Sequence, residues 1–124
     1  MVVTRRASLF LLAALLGCSD TTGSSGDVQI RIANESSFPF QSVDVVFPHD
    51  SVDYGTIAAY GTSSYRGVST AYRYALIIVQ VAGEELRLQP IDYVGENELP
   101  DGHYTYALNL TIEGHLTLTF REDR

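Results

Sequence analysis

The chain has 124 residues, the length of one domain, with 15 acidic residues against 8 basic ones and a net charge of −7. All the basic residues are arginines, so Schiff-base and P-loop lysine chemistry are excluded, and the acidic balance argues against nucleic acid as a partner. A hydrophobic fraction of 45% is too high for a disordered chain, and one cysteine rules out an internal disulfide and a thiolate-rich metal centre.

In chain order, residues 1–17 have the layout of an export signal. Arg5 and Arg6 form a short positive region, followed by an apolar and small-residue run from Ala7 to Gly17 with Ser8 as its only polar member. That run is too short for a spanning helix, which needs roughly 17–25 residues. It ends in Leu15-Leu16-Gly17-Cys18, which resembles the lipobox of bacterial lipoproteins. Gly17 and Cys18 match its small residue and obligatory cysteine, and Leu15 matches the hydrophobic position. Leu16 departs from it, standing where a smaller residue is usual. The resemblance implies that Cys18 receives a diacylglyceryl group and becomes the acylated first residue after cleavage. The remaining chain would keep all 15 acidic residues and lose Arg5 and Arg6. So acidic a domain is repelled by anionic headgroups, and lipid rather than protein surface would hold it at the membrane.

Residues 18–27 read as the lipidated Cys18 and a flexible linker, because Ser19 to Asp27 is SDTTGSSGD, without an apolar side chain. Such a tether spans about 15–18 Å as a coil and about 30 Å at full stretch.

Residues 28–124 read as one β-domain. Apolar and polar residues alternate through Val28–Ile32, Ser42–Phe47, Glu85–Gln89, His103–Ile112 and His115–Phe120, the period of a strand with one buried face. Two further short strands are expected at Tyr54–Ile57 and Ser63–Val68, and hairpin connections at Ala82-Gly83-Glu84 and Glu113-Gly114. The prolines fall at or near the ends of these runs. Ala75–Val81 is apolar on both faces apart from Gln80 and therefore needs a second cover. That cover is the Tyr54–Tyr65 connection lying over a central strand, a partner protein, or a second copy. An interaction face there would use Ile77 and Val79, or alternatively Leu76 and Ile78. Seven or eight strands in this length predict an immunoglobulin-like antiparallel β-sandwich, with a small up-and-down β-barrel as the alternative.

Leu99-Pro100-Asp101-Gly102-His103-Tyr104 leads into the longest alternating run. Its Asp-Gly-x-Tyr pattern resembles the tyrosine corner of immunoglobulin-like domains, which implies a structural role for Tyr104, its hydroxyl bonding back to nearby backbone. The stretch from Tyr54-Gly55-Thr56-Ile57 through Tyr65, Tyr72 and Tyr74 to Gln89–Glu96 resembles small secreted or lipid-anchored bacterial domains without assigned function. That likeness covers most of residues 28–112 and implies an address and a fold, not a mechanism.

Chemistry is sparse. Gly67-Val68-Ser69-Thr70-Ala71 approximates a nucleophile elbow, but no helical pattern follows it. His49, Asp50 and Asp53 place one imidazole and two carboxylates in one loop, without the EF-hand pattern. A zinc site there needs a further ligand such as His103 or His115. Asp92, Glu96, Glu98 and Asp101 make a second acidic loop, and a solvated loop accounts equally for both. Five of the eight tyrosines fall between residues 54 and 74. Tyr60, Tyr65, Tyr72 and Tyr74, with Arg66 and Arg73, have the residue types of a recognition surface.

The expectation is therefore a lipid-anchored cell-envelope protein facing the periplasm or exterior, most simply a non-enzymatic binding or structural module. No catalytic residue, metal or cofactor is assigned. The expected partners are the membrane, through lipid on Cys18, and an envelope protein or a second copy. The alternative is a small envelope hydrolase or metal-binding domain using the His49/Asp50/Asp53 loop.

Overall fold

A computed structural model of the chain describes residues 27–90 and 95–123. The signal-like segment, Cys18, the linker up to Gly26 and Asp92 lie outside the described residues. Eight strands follow in order: β1 Val28–Asn34, β2 Ser42–Val46, β3 Ser51–Asp53, β4 Arg66–Val68, β5 Leu76–Val81, β6 Glu84–Leu88, β7 Gly102–Leu110 and β8 Leu116–Asp123. They form two four-stranded sheets, β4-β1-β7-β8 and β3-β2-β5-β6, so the molecule is an all-β sandwich and not a closed barrel.

Every pairing is antiparallel except one. β1 runs parallel to β7 over its whole length, from Val28 beside Gly102 to Asn34 beside Leu108. Parallel neighbours cannot be joined by a tight turn, and here the entire second sheet is built between them. Alternating apolar residues of both sheets meet in one core: Ile30, Ile32, Tyr106 and Leu108 from one side, Val43, Val45, Ile77 and Val79 from the other. Phe47 stacks on Tyr106 with centroids 6.2 Å apart.

Local chemistry sets the turns. Ala82 and Gly83 both have positive φ, 52° and 81°, as a two-residue hairpin between right-twisted strands requires. The strand expected at Tyr54–Ile57 forms instead at Ser51–Asp53. Tyr54 N–H still donates to the Val43 carbonyl at 2.8 Å, but the Asp53 carboxylate accepts the Gly55 N–H at 2.8 Å and Gly55 has φ 77°, which turns the chain away from β2 just after Tyr54. Ile57 keeps only an isolated bridge to Phe40.

β5 sits centrally between β2 and β6. Its Ile77 and Val79 are fully buried in the core, so they form no interaction face. On the other face Ile78 lies between Asp44 and Arg87, and Gln80 between Ser42 and Glu85. The 54–65 connection runs elsewhere, bonding β1 through Gly61 C=O to Asn34 N–H and Ser63 N–H to Ile32 C=O, both at 2.8 Å, and the segment after it through Tyr60 N–H to Ser36 C=O at 3.2 Å.

Asn34 anchors that arrangement. Its buried amide donates to the carbonyls of Phe38 and Ala58 at 2.8 and 3.1 Å, and its oxygen accepts from Ser36 N–H and Oγ. At the start of β7 the Tyr104 hydroxyl donates to the Pro100 carbonyl at 2.6 Å. A Cβ on Gly102 would stand 3.2 Å from that hydroxyl, which accounts for the glycine two residues earlier.

Candidate functional site

The acidic loop after β2 is spent on structure. One Asp50 carboxylate oxygen accepts from the Ser69 N–H and hydroxyl, both at 3.3 Å, and Asp53 holds Gly55. Among the described residues no group of three His, Cys, Asp or Glu side chains is placed to hold a metal ion, so His49, Asp50 and Asp53 are not brought together as one. Glu96 and Glu98 line a small hollow with Arg73, Asn97 and Pro100.

The six tyrosine and arginine side chains do not form one surface. Tyr60 stands at a loop tip, 72% exposed, with φ 61°. Arg66 donates to the Asp53 carbonyl at 3.1 Å and lies 5.9 Å from the Tyr54 ring. Tyr54 in turn donates to the Ile30 carbonyl at 2.9 Å. Burial pushes its phenol far above the ordinary value, against the lowering pull of Arg66. Tyr72 offers its carbonyl to the Tyr106 hydroxyl.

Tyr65 belongs to a polar cluster on the outer face of the first sheet. Arg31 Nε donates to Thr105 Oγ1 at 2.9 Å, and that hydroxyl donates to Asp123 at 2.6 Å. Tyr65 donates to the same carboxylate oxygen at 2.9 Å, under the Arg31 guanidinium 4.8 Å from its ring. His103 meets Tyr65 edge to face at 4.9 Å. Burial alone would raise the Asp123 pKa, but the Thr105 and Tyr65 hydroxyls, with Arg31 and Arg121, outweigh it and hold the carboxyl below its ordinary value. Burial, then the bond and charge of Asp123, raise the Tyr65 phenol. The bonds from Arg31, Thr105 and Tyr65 that converge on Asp123 brace β1, β7 and β8 against one another.

Tyr74 and Arg73 lie at the opposite kind of surface. Tyr74 lines an open groove of about 680 Å³ together with Ala75, Leu88, Gln89, Pro90, Leu116, Thr117 and Leu118. Arg73 stands over the Phe120 ring at 5.9 Å. The groove runs between β6 and β8, the last strands of their sheets. Leu86, Leu88, Leu116, Leu118 and Phe120 face the core from these strands but stay only partly buried. None of the eight lining side chains carries a formal charge. Such a lining, apolar but for the Tyr74 hydroxyl, the Gln89 amide and the Thr117 hydroxyl, can hold apolar matter.

Sequence reasoning singled out Tyr74 but not the leucines opposite it. Their alternation was visible; that β6 and β8 end side by side was not.

No protein family model matches the chain, and no curated protein does either. Among solved structures it is similar to a protein from Eubacterium rectale determined by NMR, at 12% identity and TM-score 0.55, over 78% of this chain and 90% of the other. At that identity the likeness shows the fold alone, a two-sheet β-sandwich.

Proposed function

We propose that this chain is a lipid-anchored protein of the bacterial cell envelope whose β-sandwich binds another envelope component without catalysing a reaction. The observation that carries the binding half is the uncharged groove between β6 and β8, lined by Tyr74, Leu88, Leu116 and Leu118. An apolar hollow left open by two partly buried rows of leucine favours association over chemistry, because burial is what such a surface gains from a partner. The anchoring half rests on Leu15-Leu16-Gly17-Cys18 at the end of an apolar run. The acyl chains would hold the acidic domain near a bilayer its own surface does not attract.

Replacing Cys18 with Ala tests the anchor: acyl labelling disappears and the protein leaves the membrane fraction. Unchanged detergent-phase partitioning of that variant refutes it. A photoreactive phenylalanine analogue in place of Tyr74 tests the groove. It should crosslink a discrete envelope component, while the same analogue at Tyr60 should not. Equal crosslinking from both positions refutes a groove-specific partner.

A further inference from the structure

The four edge strands of the sandwich are not equally defended. β3 and β4 have three residues each, too short to template a partner strand. β6 carries Glu84, Glu85 and Arg87 among its five residues, and charge is the usual guard of an edge. β8 is eight residues long, and its first five, Leu116-Thr117-Leu118-Thr119-Phe120, hold no charge, no proline and no glycine. Among the described residues β8 pairs only with β7, so its outer N–H and C=O groups lack a ladder. This bare edge borders the groove, and its leucines enter the groove wall at every second position.

We infer that β8 accepts an added strand from a partner polypeptide, a segment of about five uncharged residues with apolar side chains at alternate positions that fill the groove toward Leu88 and Tyr74. This rests on the reading of the groove as a binding site and names the class of its occupant. A lipid or small apolar ligand would fill the groove and leave the edge backbone unpaired. The strand is uncharged because a charge placed against eight uncharged lining residues would lose water without gaining a partner. A second copy fits less well, since two processed chains, each with 15 acidic residues against 6 arginines, repel each other.

The test uses the full chain in nanodiscs and a blocked synthetic peptide, Gly-Ser followed by three Val-Thr repeats and Gly-Ser. Its control has proline at the two central positions. Backbone amide exchange at residues 116–120 should slow about tenfold with the first peptide, saturably, and not with the second. Gln89→Glu changes one groove-lining residue with little change of size and should weaken peptide binding about tenfold. Leu88→Glu should abolish it, with circular dichroism confirming that both variants are folded. Unaltered exchange at 116–120, equal binding of the proline peptide, or an unaffected Gln89→Glu variant overturns the inference. So does a dimer in sedimentation whose 116–120 amides are already protected. Crosslinking from position 74 without any protection of the β8 edge discards the added strand and leaves the groove-binding proposal standing.

Discussion

The two open sides of the sandwich close in different ways. Along the β3/β4 side the strands are short, and three side chains reach across from one sheet to the other. Tyr54 bonds the Ile30 carbonyl, Arg66 the Asp53 carbonyl, and Asp50 the Ser69 N–H and hydroxyl. Along the β6/β8 side the strands are longer, and among the described residues partly buried leucines and Phe120 pack against the core there. Directional bonds bridge the first side, the Tyr54 bond partly buried and the Arg66 and Asp50 bonds exposed to solvent. Apolar contact alone leaves the second side ajar, since half-buried leucine gains only part of its transfer free energy. The two sides thus differ in chemistry: side chains bonded across the sheets on one, partly buried apolar side chains on the other.

The largest expected effect lies on the bridged side. Tyr54→Ala removes a ring and an inter-sheet hydrogen bond together and should cost about 3 kcal/mol in urea unfolding. A loss no greater than that of an open-side leucine would erase the contrast. Tyr104→Phe comes next, at about 1–2 kcal/mol, through loss of the bond to Pro100. The Tyr104 ring stacks on Phe120 of β8 at 5.5 Å, and amide exchange along β8 should rise in that variant. On the open side, Leu118→Ala should cost only about 1 kcal/mol, because the side chain is already partly in water.

The smallest effect concerns the far end of β8. The Asp123 carboxyl is held below its ordinary value in the fold, so the ionised form is the one folding favours. Its contribution is complete at pH values above the unfolded carboxyl's and is lost as pH falls through the lowered folded value. Asp123→Asn should therefore flatten the acid limb of the stability profile while leaving exchange along the groove edge unchanged. An acid limb as steep as that of the unaltered chain would show that other carboxyls carry it.

Much of this architecture was legible in residue order. The alternation in Val28–Ile32 and Leu116–Phe120 announces strands with one buried face, and Ala82-Gly83 announces the hairpin between β5 and β6. Asp-Gly-x-Tyr before the longest run points to the hydroxyl contact that Tyr104 makes with Pro100. β3 was less legible, because the Asp53–Gly55 bond decides where the strand stops and Tyr54–Ile57 carries the stronger pattern. The tyrosine-rich stretch looked like one surface only because its members are close in sequence. Tyr65 joins Asp123, 58 positions away, while Tyr74 turns to the leucines of β6 and β8.

By itself the sequence determined that the folded part is all β, since period-two alternation follows from backbone geometry and needs no knowledge of neighbours. It also determined the local turns, whose dihedral demands are met by residues next to each other. Only the tertiary structure decided that β1 lies parallel to β7, that Arg31 reaches Thr105 across 74 positions, and that β6 and β8 end their sheets side by side. Those outcomes depend on how two finished sheets close over one core, a global balance of burial and pairing that alternation within any one strand does not encode.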